Sequence, residues 1–259
     1  MARIAVAGAT GRVGRHVVDV LSERGHDMVA ISRSNGVDVI TGDGLAAALA
    51  GVEVVIDTAT GPSPEQATAT EFFTTATQNL EEAGEKAGVQ KLVVVSIIGT
   101  DKAAGGYGAA KLAHEQAVLA GPIPARILRA AQFHEFVEVL MGWGRQGDVV
   151  YLPKMRTQIV AARTVAEALA DLALSQEQEQ EQEQEPAGAT PAEIAGPREE
   201  YLPDLAALLA AKRGDAVKIE AVSNPADPDD ALNTNGGLLP GPHATLAGPT
   251  FAEWLGSEG

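Results

Sequence analysis

The sequence predicts an α/β fold in which a doubly wound parallel sheet is covered by helices on both faces, with a small C-terminal lobe. Short apolar runs alternate with helical patterns over about the first 140 residues, as parallel strands and their crossover helices do. Runs such as Leu92-Val93-Val94-Val95 are apolar throughout, which indicates that both sheet faces are buried. A chain of 259 residues, 45% of them hydrophobic, is long enough for one such core.

Residues 1–142 are predicted to form the sheet and its helices. The predicted strands are Arg3 to Ala7, Asp27 to Ser32, Glu53 to Asp57, Lys91 to Ser96 and Ala125 to Arg129. The predicted helices are Arg12 to Arg24, Leu45 to Ala50, Glu65 to Ala87, Tyr107 to Ala120 and Phe133 to about Gly142.

Residues 143–259 are predicted to form a smaller lobe interleaved with this core, because the alternation loosens after Arg129. The tract at 176–185, which reads QEQEQEQEQE, has no apolar period and is interpreted as a solvated external loop. The segment from Ser223 to Gly248 is rich in Pro, Gly and Asp and is expected to be irregular. The predicted elements are strands Val149 to Leu152, Gln158 to Ala161, Ala192 to Ala195 and Val217 to Val222, and helices Thr164 to Leu174 and Leu202 to Arg213.

The composition argues against several classes of function. A formal net charge of -16 disfavours direct nucleic-acid binding, which needs clustered Lys and Arg. The absence of cysteine excludes disulfides, thiolate metal sites and cysteine nucleophiles. Five scattered histidines lack the spacing of metal ligands. No apolar run reaches 18 residues and no signal-peptide pattern is seen, so a cytoplasmic protein is expected.

Three glycines follow the first predicted strand and lead into the first predicted helix. In that context Gly8 permits a tight turn, and Gly14 lets the helix pack close to the strand. Backbone N–H groups at the start of the helix would face a pyrophosphate. A glycine turn without a ligand is the alternative. The predicted residues of this nucleotide site are Gly8, Thr10, Gly11, Arg12, Val13 and Gly14.

The end of the second strand distinguishes the two nicotinamide dinucleotides. An acidic residue there hydrogen-bonds the ribose 2′-hydroxyl, whereas a basic residue accommodates a 2′-phosphate. The chain has Ser32-Arg33-Ser34 at this point, which favours NADP(H) over NAD(H). Arg12 is expected to add a second positive contact to the same phosphate. An ordinary exposed arginine is the alternative interpretation of Arg33.

Tyr107 and Lys111 are four residues apart at the start of a predicted helix, so they share one of its faces. A nearby ammonium would lower the pKa of the phenol and suit it to proton transfer as hydride reaches a carbonyl. The same lysine can hydrogen-bond a ribose hydroxyl. Ser96 ends the fourth strand, where ligand-contacting residues lie in open α/β sheets, and is either an orienting hydroxyl or a strand-end cap.

Several segments together resemble one family. The segments are GATGRVG, the Arg33 position, Thr41-Gly42-Asp43, Asp57-Thr58-Ala59, VVVSIIG, YGAAKLAHEQ and ILRAAQFHEF. They are similar to the atypical short-chain dehydrogenase/reductases, most closely to the NmrA-like NAD(P)H-binding branch. The resemblance implies a Rossmann-like fold, with nucleotide bound across Gly8 to Gly14 and with Asp43, Thr58 and Ala59 near the adenosine.

The sequence departs from that family at two points. In short-chain dehydrogenases the active serine lies farther from the tyrosine or slightly later, where this chain has Ile97 and Ile98, so Ser96 need not be its equivalent. Many NmrA-like members lack the tyrosine and act as regulators that bind nucleotide without turnover. This chain has both Tyr107 and Lys111, which favours an enzyme.

A substrate pocket is predicted where the fifth strand ends. Phe133, Phe136 and Trp143 are large apolar groups in a chain with 4% aromatic residues, and they would suit a flat apolar acceptor. A role in the core is the alternative. The sequence therefore predicts an NADP(H)-dependent oxidoreductase acting on a small carbonyl or quinone. The alternatives are a noncatalytic redox sensor and, less favoured for lack of a clear nucleotide-sugar lobe, a sugar-nucleotide epimerase or dehydratase.

Overall fold

The computed structural model describes residues 2–175, 191–224 and 226–257. The predicted loop at 176–185 lies outside these ranges. The strands are β1 (Arg3–Ala7), β2 (Asp27–Ile31), β3 (Val54–Asp57), β4 (Lys91–Ile97), β5 (Ala125–Ala130), β6 (Arg145–Gln146), β7 (Val149–Pro153), β8 (Arg156–Thr157), β9 (Ala192–Ala195), β10 (Glu200–Tyr201), β11 (Lys218–Val222) and β12 (Thr245–Leu246). The helices are α1 (Gly14–Glu23), α2 (Leu45–Ala48), α3 (Gln66–Ala87), α4 (Gly106–Ala120), α5 (Phe136–Gly144), α6 (Ala162–Leu174), α7 (Leu202–Arg213), α8 (Asp230–Thr234) and α9 (Phe251–Ser257).

Seven parallel strands form the central sheet, in the order β2-β1-β3-β4-β5-β9-β12. The chain winds outward from β1 in one direction to β2 and in the other to β3, so a topological switch point lies between β1 and β3. Ligands of open α/β sheets bind outside the carboxyl ends of the strands at such a point. The predicted fold class, a Rossmann-like doubly wound sheet, is confirmed.

Helices cover both faces of this sheet, as the apolar strands require. On one face α1 and α6 contribute buried residues such as Val17, Leu21 and Leu169 to a core with strand residues of β1 and β3. On the other face α2, α3 and α4 contribute residues such as Leu80 and Val118. Successive strand residues alternate between these two cores, which fixes the face on which each polar residue at a strand end lies.

The C-terminal residues are divided between the sheet and a separate core. Strands β9 and β12 extend the central sheet, and α6 packs against α1. Helices α5, α7 and α9 pack with β7 around a second hydrophobic cluster that includes Val137, Leu152, Leu205 and Phe251. Two small sheets, β11-β7-β6 and β10-β8, belong to this region. None of the helices in the described ranges is both long and apolar enough to span a membrane.

Three predictions for this region need correction. The strand predicted at Gln158 to Ala161 is an extended segment with one bridge, at Val160, because its backbone bonds to three different segments rather than to one neighbouring strand. The irregular segment that begins at Ser223 contains α8 and β12. Helix α9 was not predicted, and Phe251 anchors it by burying its ring against His134.

Candidate functional site

The glycine turn after β1 is shaped by close backbone packing. Gly8 has φ +73°, and a Cβ there would lie 2.8 Å from backbone atoms of Ala59. A Cβ at Gly14 would collide with the carbonyl oxygen of Gly8 and lie 2.7 Å from Thr58 Oγ1. The amide of Gly11 donates to the Gly8 carbonyl at 2.8 Å and closes the turn. Side chains are therefore excluded at Gly8 and Gly14, where the chain passes from β1 into α1.

An open cleft of about 610 Å³ lies at the switch point between β1 and β3. Its walls are the glycine turn, the end of β2 with the loop that follows it, the turn after β3, and the N-terminal half of α3. Among the predicted cofactor residues, Gly8, Thr10, Gly11, Arg33, Thr58 and Ala59 line it.

Arg33 lies at the rim of this cleft beside Ser32, and its side chain is exposed. The hydroxyl groups of Ser32 and Ser34 lie 2.8 Å apart, so three polar side chains meet at the end of β2. The cleft also contains a carboxylate that the sequence prediction did not weigh. Asp38 lines it, and its Oδ1 accepts a hydrogen bond from the amide of Ile40 at 2.7 Å.

Arg12 does not join Arg33. Its guanidinium carbon lies 5.9 Å from the centre of the Phe136 ring, a cation–π contact on the opposite side of the glycine turn. Arg12 is not part of the cleft lining, and neither are Val13 and Gly14. In this conformation the guanidinium lies over the aromatic face of Phe136, and a second positive contact from Arg12 to the phosphate stays a prediction.

Asp43 also lies outside the cleft lining. Its side chain is exposed, its amide donates to Thr41 Oγ1, and its carbonyl oxygen accepts from the amide of Asp38. These bonds fold the loop so that Val39 and Ile40 face the cleft instead. Val39 and Ile40 therefore occupy the part of the cleft wall that was predicted for Asp43.

Tyr107 is the second residue of α4 and does not itself line the cleft. Its hydroxyl lies 3.1 Å from the hydroxyl of Thr60, which lines the cleft. Burial raises the pKa of the Tyr107 phenol above its ordinary value, and the hydrogen bond with Thr60 offsets part of this rise. The sequence predicted the opposite direction for this pKa. That prediction is wrong because the ammonium of Lys111 is not directed at the phenol.

Lys111 points into the protein, where its ammonium has three neighbours. Its Nζ donates to the Val95 carbonyl oxygen at 2.8 Å, lies 2.8 Å from His114 Nδ1, and lies 4.4 Å from the centre of the Phe73 ring. The residue is 5% exposed and does not line the cleft, so the predicted contact to a ribose is not made by this conformation. Burial lowers the pKa of Lys111 to about 8, and the carboxylates of Asp57 and Glu115 oppose the change.

Ser96 is 2% exposed, and its hydroxyl has no hydrogen-bond partner among the described residues. It lies two residues after Val94 on the strand face that packs against α3 and α4. On the same face Arg129, its register partner in β5, pairs with the buried carboxylate of Glu115 at 2.8 Å. Ser96 therefore lies beside a buried ion pair and outside the cleft lining, and its catalytic role stays a prediction.

The three predicted pocket residues have separate positions. Phe133 packs against the core formed with α1 and α6. Phe136 contacts Arg12 on one side and the edge of Trp143 at 5.6 Å on the other, while Trp143 is 62% exposed. None of the three lines the cleft at the switch point. The alternative interpretation, a core role, describes Phe133.

The histidine that follows β5 lies inside the protein. His134 is buried, and its Nε2 lies 3.1 Å from the Ile159 carbonyl oxygen. Burial lowers the pKa of His134 to about 4, so the ring is neutral at physiological pH. Within the described residues there is no group of three His, Cys, Asp or Glu that could hold a metal ion.

Sequence reasoning missed three residues that organise the site. Asp57 ends β3 with both carboxylate oxygens engaged, His114 lies behind it on α4, and Thr60 holds the Tyr107 hydroxyl. The position of Asp57 at a carboxyl strand end beside the switch point was the available signal. The signal for His114 was its position three residues after Lys111, whereas its contact with Asp57 depends on the packing of α4 against the sheet.

The residues present fit a dinucleotide. The glycine turn has no room for side chains, the start of α1 offers N–H groups, and a cleft large enough for a nucleoside moiety adjoins it. These features correspond to the three parts of such a site: a turn for close phosphate approach, a helix N-terminus, and a pocket.

A family model described as NAD(P)H-binding matches residues 8–172, which is more than half of the chain. Among curated proteins, the L-arabinose 1-dehydrogenase (NAD(P)(+)) of Haloferax volcanii is 35% identical over 105 residues, 37% of this chain and 41% of that protein. The photosystem II assembly factor Ycf39 of Synechocystis is 30% identical over 110 residues, 37% of this chain and 34% of that protein. The chain thus matches about a third to two fifths of the length of these relatives.

Two solved structures match almost the whole chain. The NADPH-dependent quinone oxidoreductase QOR2 of Escherichia coli, complexed with NADPH, is 21% identical with a TM-score of 0.69, covering 98% of this chain and 99% of that one. The UDP-N-acetylglucosamine 4-epimerase of Bacillus cereus is 18% identical with a TM-score of 0.69, covering 99% and 95%. These similarities establish the fold. The family match over residues 8–172 shows that the chain belongs to the NAD(P)H-binding family.

Proposed function

We propose that the protein is an NADP(H)-dependent oxidoreductase that reduces a small carbonyl or quinone acceptor, with Tyr107 as the proton donor. The observation that carries the proposal is the contact of 3.1 Å between the Tyr107 and Thr60 hydroxyls. Thr60 lines the cleft, so this contact brings a protonated phenol to the edge of the nucleotide site.

The preference for NADP(H) is supported by the end of β2. Ser32 and Arg33 present a hydroxyl and a guanidinium to the cleft, which are groups that bind a phosphate, and the Ser34 hydroxyl lies 2.8 Å from that of Ser32. Asp38 is the residue that would favour NAD(H) instead by accepting from a ribose hydroxyl. Its Oδ1 accepts from the Ile40 amide, and the proposal assigns the discrimination between the two nucleotides to Arg33.

The bound nucleotide supplies the hydride, and the chain's own residues do the rest. N–H groups at the glycine turn and the start of α1 hold the pyrophosphate. A raised pKa keeps the Tyr107 phenol protonated at neutral pH, as a donor to the acceptor oxygen must be. Thr60 orients that hydroxyl. Lys111 enters the proposal as a buried cation behind the site, and Ser96 is left out because it is buried.

The acceptor class is supported by what a relative's name states. QOR2 is an NADPH-dependent quinone oxidoreductase, and its fold matches nearly all of this chain. A quinone is flat, and its reduction consumes one hydride and one proton, which match one nucleotide and one phenol. A sugar-nucleotide substrate is a weaker alternative. The fold similarity to the epimerase has the same TM-score as that to QOR2, but it identifies no residue of this chain that would bind a sugar.

A noncatalytic nucleotide-dependent regulator is the second candidate, and one observation favours it. The ammonium of Lys111 is engaged inside the protein and does not activate Tyr107. A site that binds nucleotide without lowering the phenol pKa is what a sensor would have. Ycf39, a relative over part of the chain, is by name an assembly factor.

The experiment measures NADPH consumption with a panel of quinones, enones and aldehydes, comparing the native protein with Tyr107→Phe at matched nucleotide occupancy. Tyr151→Phe, a half-exposed tyrosine of β7, is the matched control. We expect turnover by the native protein and the control, and a loss of about 100-fold or more in Tyr107→Phe with NADPH binding retained. Binding without consumption by any of the three would favour the regulator.

A further inference from the structure

Three charged or polar side chains form a buried array directly beneath the turn that follows β3. We call Asp57, His114 and Lys111 the buried array; their exposed fractions are 3%, 1% and 5%. Lys111 Nζ lies 2.8 Å from His114 Nδ1, and His114 Nε2 lies 3.4 Å from Asp57 Oδ2. The ring of Phe73 covers the array, stacked on His114 at 4.6 Å and 11°.

The hydrogen positions of the array follow from its partners. An ammonium has only donors, so His114 Nδ1 accepts from Lys111. Burial and the nearby ammonium lower the pKa of His114, so the ring is neutral and its single proton lies on Nε2. That proton faces Asp57 Oδ2. The distance is longer than in a well-formed hydrogen bond, so the contact is a directed electrostatic one.

Asp57 connects this array to the nucleotide cleft. Its other oxygen, Oδ1, accepts from the amide of Ala59 at 2.9 Å. Thr58 donates to the carbonyl oxygen of Ala7 at the end of β1. Thr58, Ala59 and Thr60 all line the cleft. One carboxylate thus accepts a hydrogen bond from a backbone amide of the cleft wall on Oδ1 and faces His114 Nε2 across 3.4 Å on Oδ2, a contact without hydrogen-bond geometry.

The charges around the array come from three elements. Asp57 is on β3, and Lys111 and Glu115 are on α4. Glu115 is itself paired with Arg129 of β5. Helix α3 presents the uncharged ring of Phe73. Of the two cations in this set, Arg129 is paired with Glu115, whereas Lys111 has no carboxylate at short range among the described residues. His114 lies between Lys111 and Asp57 and contacts both.

We propose that Asp57 and His114 are positioning residues of the nucleotide cleft: His114 orients the Asp57 carboxylate, which fixes the turn at Thr58 to Thr60 against the glycine turn. His114 contacts no part of the cleft itself and acts through Asp57. This inference rests on nucleotide binding in the proposed function and is independent of the acceptor chemistry.

The test uses two variants, each of which places an amide group where one of the two imidazole nitrogens lies. In His114→Gln the amide nitrogen reaches the Nε2 position and still donates to Asp57. In His114→Asn the shorter side chain reaches only the Nδ1 position, so Asp57 loses its donor. Gln116→Asn places asparagine at an exposed position of α4 and controls for the low helix propensity of asparagine.

NADP⁺ affinity is measured by calorimetry, and the Ala59 amide is followed by NMR in the nucleotide-free proteins. We expect His114→Asn to weaken NADP⁺ binding by about fivefold, the effect of one net polar contact, and to move the Ala59 amide resonance. His114→Gln and Gln116→Asn should keep both properties. Native-like affinity in His114→Asn, or equal losses in both His114 variants with an unmoved Ala59 resonance, would overturn the inference.

A further variant covers failure of His114→Asn to fold. Asp57→Asn leaves one acceptor oxygen for two donors, so either Ala59 or His114 loses its partner, and NADP⁺ binding should weaken similarly. Native-like binding by Asp57→Asn would overturn the inference. If the native protein binds no NADP⁺, the proposed function fails, and the Ala59 resonance alone then decides whether His114 acts through Asp57.

Discussion

Gly14 has no room for a side chain, because a Cβ there would collide with the carbonyl oxygen of Gly8. We expect Gly14→Ala to displace the glycine turn and to weaken NADPH binding by tenfold or more, since a shift of this backbone moves the phosphate-binding amides. Gly142→Ala is the control. A Cβ at Gly142 meets nothing within 4 Å in the described part of the chain, and alanine in α5 should be neutral or stabilising by up to about 1 kcal/mol. Equal affinities in the two variants would contradict this account of Gly14.

Arg33 is the residue on which the cofactor preference depends. Arg33→Ala should weaken NADPH binding by about tenfold, the loss of a charged hydrogen bond, and change NADH affinity by less than about twofold. Lys154→Ala removes one positive charge from another exposed position and should leave both affinities unchanged. Parallel calorimetric titrations with the two nucleotides measure this, and equal loss for NADPH and NADH would show that Arg33 does not contact the 2′-phosphate.

Single residues also show where sequence reasoning stops. The roles of Gly8 and Gly14 in the turn were predictable, because tight backbone packing leaves few alternatives to glycine. The direction of the Tyr107 pKa was not. Spacing placed Lys111 on the same helix face, but its ammonium contacts the carbonyl of Val95, on the preceding strand, and the ring of His114, one turn along α4.

At the scale of elements, α3 and α4 pack together around a buried carboxylate. Glu81 of α3 is 6% exposed, and its Oε1 has no hydrogen-bond partner among the described residues. Gly121, which directly follows α4, lies against this carboxylate, and a side chain there would overlap it. Burial raises the pKa of Glu81 to about 7. Between the two helices this carboxyl group therefore stays neutral up to about pH 7.

The consequence for stability has a definite sign. The pKa of Glu81 is higher in the folded than in the unfolded protein, so its contribution is fully present below about pH 4.5 and is lost as pH rises through about 7. Glu81→Gln should remove this loss. Its free energy of unfolding at pH 8 should be roughly 2 kcal/mol higher than that of the native protein. Glu85→Gln, at an exposed position of the same helix, should not. Denaturant unfolding at pH 5 and pH 8 measures both, and parallel pH dependence of native protein and Glu81→Gln would refute it.

The elements themselves were largely predictable from pattern. Strands β1 and β9 and helix α7 have the predicted bounds, because apolar runs and a glycine after the helix mark their ends. Helix α9 was missed because it is short and its stability comes from contacts of Phe251 and Trp254 with His134, far away in the chain. Local pattern identifies elements that are stable through periodicity, and long-range contacts determine the rest.

At the scale of the whole molecule, the order of strands determines where the site lies. The switch point between β1 and β3 brings the glycine turn, the turn at Thr58 to Thr60 and the end of β2 to one edge of the sheet. The separate cluster around Phe251 and Leu205 leaves that edge open. The place of the nucleotide site followed from the sequence, whereas the buried array behind it required the packing of α4 on the sheet.

The measurement that tests the account most directly is a calorimetric titration of the native protein with NADPH and, in parallel, with NADH at the same salt concentration. The proposed function, the buried array and the role of Arg33 all depend on nucleotide binding in the cleft. The account predicts one NADPH bound per chain, tighter than NADH by about tenfold. Failure to bind either nucleotide, or tighter binding of NADH, would contradict it.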